Sequence, residues 1–280
     1  MYKWSDNKRR YRSLDLKKDP KDDRDFKFKL LHKKRMIEAI PSKVDYTSEM
    51  SPVKSQGQLG SCVAFAIAAL KEWQEQKEHQ KEVEEGKKYH RDEKYYDLSE
   101  SWIYWMAKKI DCWPHEEGTS LVYAMKVLNK IGVPVEKAWP YNDTVYGEPK
   151  KWAHLVARWS LVGSYERVEN LEELKVVLAK SPVPIGIGCF AEIDSVGEDG
   201  IVPYPEHPEY MYGGHAITCV GFDDQTQLVK IKNSWGKNWG QQGYGYLPYQ
   251  YINDFMWDAW TCEDISVTKE MLKGARSLIE

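Results

Sequence analysis

Residues 52–62 read Pro52-Val53-Lys54-Ser55-Gln56-Gly57-Gln58-Leu59-Gly60-Ser61-Cys62, and the chain runs on as CVAFAIAALKEW to Trp73. Two closely spaced glycines make a turn, and the Ala-rich apolar run that follows contains neither Gly nor Pro, so it predicts a buried helix. Ser61 stands where an N-cap belongs. The cysteine then occupies the first turn, where unpaired N–H groups and the helix dipole favour negative charge. Thiolate is the nucleophilic form of cysteine, so Cys62 is a candidate nucleophile with a lowered pKa.

Outward from this stretch, QEQKEHQKEVEEGKKYHRDEK (residues 74–94) is charged throughout and reads as a solvated helix end plus surface loop. SESWIYWMAKKI begins at Ser99 in a capping pattern, SLVYAMKVLNKIG stops at Gly132, and LEELKVVLAKSP stops at Pro182. Beyond Tyr141 the chain is a Gly- and Pro-bearing loop. VPIGIGCF, HAITCVGFDD, LVKIKNSW and GYGYLPYQYI read as strands, with DDQT (223–226) a hairpin turn between two of them. Helices come first and strands second, without internal repeats, which predicts two packed halves of α+β type.

Of 280 residues, 42% are apolar, enough for a real core, and the net charge of −3 gives no field favouring nucleic acid or anionic membrane. No apolar run reaches membrane-spanning length, and the charged N-terminus has no secretory apolar segment, so the expectation is a cytoplasmic protein. Five cysteines (Cys62, Cys112, Cys189, Cys219, Cys262), odd in number and uneven in spacing, are not a disulfide scaffold. All but Cys62 are expected to be inert core thiols.

A nucleophilic thiol needs a base, and the base needs an orienting partner. His215 follows two glycines at the head of the strand HAITCVGFDD, where the slim backbone lets other groups approach. Asn233 ends a strand that pairs back through the DDQT turn, so its amide oxygen can accept from one ring nitrogen and leave the other facing sulfur. Cys112-x-x-His115 and His215-x-x-x-Cys219 have zinc-like spacing, but a zinc site would take His215 away from Cys62, and no metal is expected.

These segments resemble the papain and cathepsin family, with its signatures QGxCGSCWAF, a histidine followed by Ala, and NSWGxxWGxxGY. The likeness covers roughly residues 40–262. His215 and Asn233 lie 153 and 171 residues after Cys62, at or beyond the ~130–150 typical of the family, an excess that an insertion after Trp73 would supply. The resemblance implies a two-lobed papain-like fold, a helical lobe and a β-barrel-like lobe, with the active site in the cleft between them. It implies that Cys62 is the nucleophile, His215 its base and Asn233 the orienting amide, with Gln56 donating to the oxyanion beside the Cys62 amide. Trp235 would shield the His–Asn bond. Gly118 would hydrogen-bond the substrate backbone, and Ala216 would line the pocket for the second side chain before the scissile bond.

The implied activity is hydrolysis of peptide bonds through a thioester, without cofactor, by a monomer acting on peptide or protein. The alternatives are a ligase or transferase using the same thioester, and a binding protein that kept the fold. Leu59 stands where many relatives have a disulfide-forming cysteine, and Val63 where they have tryptophan. Both features resemble intracellular or bacterial relatives. The expected division is an arm at 1–39, a helical lobe at 40–150 and a β-rich lobe at 151–280. The arm is short for an inhibitory pro-segment, and its apolar residues are scattered in twos. It is expected to pack outside the body as a permanent part, without filling the cleft.

Overall fold

The computed structural model describes residues 3–4, 14–28, 40–86, 96–143, 148–158 and 160–264. Helix α1 (Cys62–Glu84) starts at the predicted cysteine and buries its first fifteen residues. Ser61 does not cap it, because the hydroxyl bonds the Tyr141 hydroxyl (2.7 Å) instead of a helix amide. The charged stretch predicted as solvated is partly interior. Gln74, Glu75 and Gln76 are buried, and Glu75 pairs with the buried Lys71, whose ammonium also meets Asp264, which offsets its loss of water. Residues 87–95 lie outside the described residues.

Helix α2 (Glu100–Ile110) is capped as its sequence predicts, Ser99 Oγ accepting from the Trp102 amide. Helix α3 (Leu121–Lys130) ends at Gly132, whose φ of +81° is the left-handed turn a glycine takes without strain. A short helix, α4 (Lys151–Ala157), presents Ala153 and Ala157 to the same core. Trp102 is fully buried there, with its indole N–H donating to the Gly132 carbonyl (2.9 Å).

Among the described residues there are nine strands: β1 (Lys3–Trp4), β2 (Lys43–Asp45), β3 (Val162–Arg167), β4 (Val183–Cys189), β5 (Tyr210–Met211), β6 (Gly213–Asp223), β7 (Leu228–Lys232), β8 (Tyr244–Pro248) and β9 (Met256–Asp264). β1 pairs with β5. The others form one seven-stranded antiparallel sheet in the order β3-β9-β4-β6-β7-β8, with β2 also on β6. The sheet is open, not the barrel-like closure expected. Helices cover both faces, so closure is not needed to bury it: α1 on one side, α5 (Leu171–Leu178) and α6 (Tyr249–Phe255) on the other. GYGYLPYQYI divides into β8 and α6 after Pro248.

β6 shows the alternation that joins the halves. Ala216 and Thr218 face the helical side, where Thr218 Oγ1 donates to the Ala66 carbonyl (3.1 Å). Ile217 and Cys219 face the core under α5 and α6. One strand thus belongs to both cores, and His215 stands at its head. Among the described residues no helix is long and apolar enough to cross a membrane.

Candidate active site

The turn predicted at residues 57–60 holds Gln56 and Cys62 against the sheet. Gly57 takes φ +61°, and the Gln56 amide donates to the Ser234 carbonyl (2.9 Å). Gln56 is buried; its side-chain oxygen accepts from Ser234 Oγ (2.7 Å) and its amine donates to the Leu59 carbonyl (2.9 Å). That leaves one amine hydrogen for a ligand. Tyr141, unmarked by any sequence signal, locks the turn: its hydroxyl donates to the Gln56 carbonyl (2.8 Å) and meets Ser61.

Below the turn is an ionic hub that the sequence reading also missed. Lys54 Nζ reaches Glu100 (2.6 Å) on α2 and Glu72 (3.1 Å) on α1. Lys232, next to Asn233, donates to Ser51 Oγ (2.9 Å), which in turn bonds Glu72. Burial pushes the Lys232 ammonium down to about 8 and the Glu100 carboxyl up to about 8. The hub ties the turn before Cys62 to the strand that delivers Asn233.

His215 and Asn233 meet as expected. Nε2 of the buried imidazole lies 2.8 Å from Asn233 Oδ1, which also accepts the Ser234 amide (2.8 Å). An amide oxygen can only accept, so Nε2 carries the hydrogen and Nδ1 is the basic nitrogen. Trp235 stacks on the ring at 4.5 Å and 27°, and Trp239 packs edge-on behind it. The next residue, Ala216, points its amide at the Cys62 sulfur, as do the amides of Cys62 and Val63.

Those amides favour a thiolate, as the helix-start argument predicted, but burial outweighs them. Cys62 has no exposed surface, and its thiol is pushed up to about 12, first by burial, with the Asp15 carboxylate adding to the rise. Asp15 belongs to the N-terminal arm, and its presence corrects the expectation that the arm leaves the cleft empty. Residues 14–19 thread it. The Leu16 amide donates to the Gly214 carbonyl (3.0 Å), and the Lys17 amide to the Thr119 carbonyl (3.0 Å). Leu16 joins the apolar cluster of Cys62, Leu121, Ala216 and Trp260, over Gly186, where a Cβ would come within 2.6 Å of its side chain. The scattered apolar residues thus include one that fits a pocket, which spacing along the arm could not reveal.

Gly118 (φ +79°) lies where expected, but its amide donates to Tyr104 Oη (3.1 Å) and its carbonyl accepts from Lys108 (3.0 Å). What it offers is close approach, since a Cβ there would strike the Asp15 carbonyl at 1.7 Å. Thr119 supplies the pairing carbonyl. Further along, residues 26–28 add to the free edge of β3: the Arg167 amide donates to the Phe26 carbonyl and the Phe28 amide to the Arg167 carbonyl, both 2.8 Å. All five cysteines are free, and Cys112 is exposed, contrary to its expected burial.

Residues 40–254 match the model of the papain family cysteine proteases. The chain belongs to that family. This papain-family peptidase is 31% identical to xylellain, a cysteine protease from Xylella fastidiosa, over 93% of its own length and 100% of that structure, with a TM-score of 0.77. An uncharacterized peptidase C1-like protein of Acanthamoeba polyphaga mimivirus is 29% identical over 75% of this chain and 69% of the viral one. Mouse cathepsin K is 26% identical over 74% of this chain and 60% of its own. The cysteine peptidase is therefore papain-like in fold and in family.

Proposed function

We propose that Cys62, His215, Asn233 and Gln56 carry out thioester-mediated hydrolysis of peptide bonds. The observation that carries the reading is the 2.8 Å bond from His215 to Asn233 under Trp235, one residue from the amide that faces the Cys62 sulfur. His215 Nδ1 takes the thiol proton, and the sulfur attacks the peptide carbonyl carbon. The oxyanion accepts from the Cys62 amide and the remaining Gln56 amine hydrogen. When the C–N bond breaks, imidazolium gives its proton to the amine. His215 then deprotonates a water that attacks the thioester, and the acid leaves with the thiol restored. Asn233 holds the tautomer, Trp235 keeps water from that bond, and Ala216 lines the pocket that Leu16 occupies.

Gly118 and Thr119 together receive the substrate backbone, Gly118 by approach and Thr119 by its carbonyl. Catalysis requires residues 14–19 to leave, because they and a substrate compete for the same carbonyls. The proposed division is an arm (1–39), a helical lobe (40–150), onto which α4 and Val162 of β3 also pack, and a β-rich lobe (151–280), with β2 as a strand lent to the sheet. Leucine at position 59, where many relatives have a disulfide-forming cysteine, fits a reducing compartment such as the cytoplasm, and the net charge of −3 fits a peptide rather than a nucleic-acid ligand; a monomer acting without a cofactor is what the family resemblance implies. The test is turnover of a fluorogenic dipeptide amide by wild type and Cys62→Ala, with products weighed by mass spectrometry. Cleavage that survives in Cys62→Ala, or none in the wild type once the arm is displaced, rejects the mechanism.

A further inference from the structure

The arm has a polar anchor beyond the seat of Leu16. The Asp19 carboxylate has no exposed surface. Its Oδ1 accepts from the amide of Val122 in the first turn of α3 (3.0 Å), and its Oδ2 accepts from Trp260 Nε1 (2.7 Å). Arg167 Nη2 stands 3.3 Å from the same oxygen, with its guanidinium over the Trp260 ring. Asp258 takes the Asp19 amide on one oxygen (3.0 Å) and Arg167 Nη1 on the other (2.5 Å), which orients the guanidinium.

All three donors belong to the body of the peptidase. When the arm leaves, a buried indole N–H and a helix-start amide lose their acceptor, and Arg167 loses two of its three carboxylates, Asp19 and Asp25. Buried donors without acceptors are costly, so a ligand that restores the acceptors is favoured. Both carboxylate oxygens accept here. An asparagine would turn its amine toward Trp260 or the Val122 amide, donor against donor. The cleft also offers an extended chain main-chain acceptors, Gly214 and Thr119, and such pairing does not depend on the side chains of the chain that binds.

We propose that Arg167, Trp260 and the Val122 amide form a carboxylate-binding subsite of the substrate cleft. It selects peptides bearing an acidic side chain three residues, about 10 Å of extended chain, from the side chain that takes the seat of Leu16. The arm's Asp19 occupies this subsite in the shut protein. This inference rests on the peptidase reading above and names part of its substrate preference.

The experiment uses the full chain and two pairs of acetylated peptide amides. Each has one leucine for the apolar seat and an Asp three residues before or three residues after it, with an Asn twin. For one placement, at pH 5, below the value of about 6 to which burial and Asp258 raise Asp19 in this site, kcat/KM for the Asp peptide should exceed that of its twin by about tenfold, chiefly through KM, and Arg167→Gln should bring the ratio to near one. Trp260→Phe, which removes the indole N–H and keeps an aromatic ring, should lower it severalfold and serves if Arg167→Gln does not fold. A wild-type ratio near one for both placements, or an unchanged ratio in both variants, overturns the proposal and makes Asp19 a latch for the arm alone. If no peptide is cut even by Leu16→Ala, whose arm is released from the cleft, although Cys62 is intact, the peptidase reading fails instead. The subsite is then judged by the same Asp-to-Asn ratio in binding to the Cys62→Ala protein.

Discussion

The amide of Leu16 donates to the carbonyl of Gly214 at 3.0 Å, and Gly214 directly precedes His215. One arm residue thus takes both a main-chain acceptor and an apolar seat next to the strand that carries His215, and on the proposed site arm and substrate are mutually exclusive.

Leu16→Ala should open the cleft. Removing a buried leucine side chain costs about 2–5 kcal/mol, all of it borne by the docked arm. In the wild type, iodoacetamide should label exposed Cys112 first and Cys62 slowly, because burial holds the Cys62 thiol up at about 12. In Leu16→Ala, peptide mapping should show Cys62 labelled at least tenfold faster. Equal rates in the two proteins would mean that the arm does not guard the sulfur.

Gln56→Ala should lower kcat by roughly tens to a thousandfold with little change in KM, because the amine serves charge present only in the transition state. The same side chain also bonds Ser234 and Leu59, so the thermal midpoint must be measured alongside. A variant that keeps its kcat and only raises KM would remove Gln56 from the oxyanion site.

Asn233→Ala should reduce kcat/KM by about a hundredfold, part of what a positioned base supplies. The loss arises because Nε2 no longer has an acceptor to hold the tautomer. NMR of the imidazole should then show mixed tautomers. A single Nε2–H tautomer in the variant would assign the control of His215 to another group.

Docking of the arm should weaken as pH rises. Burial, then the Asp258 carboxylate, push Asp19 up to about 6 from 3.8, against the pull of Val122, Trp260 and Arg167. Asp25 shares the same guanidinium, so three carboxylates surround one cation. A folded-state pKa above the free value means that docking takes up a proton. Its contribution is whole below about 3.8 and is lost as pH passes about 6. The ratio of Cys62 labelling in wild type to that in Asp19→Asn should therefore climb between pH 5 and 7.5, thiol ionisation being common to both. A flat ratio would show that Asp19 does not titrate with docking.

The sequence by itself determined the turn and helix around Cys62, the strands bearing His215 and Asn233, and the place of Gln56. These depend on local rules: glycine spacing, helical apolar runs, and the alternation that puts His215 at the head of a buried strand. Only tertiary structure decided what surrounds them. Tyr141, Lys54 and Lys232 act through partners distant in sequence, and no local pattern marks such pairs. β9 escaped notice because MWDAWTCED, paired with β3 and β4, does not alternate cleanly. The arm is the sharpest case. Leu16, Asp19 and Asp25 look like scattered residues of a charged tail, and become ligands only where Gly214, Thr119, Val122, Trp260 and Arg167 converge. A binding surface assembled from three strands, a helix and the loop before it has no period along the chain, and that is why the cleft's occupancy was legible only in three dimensions.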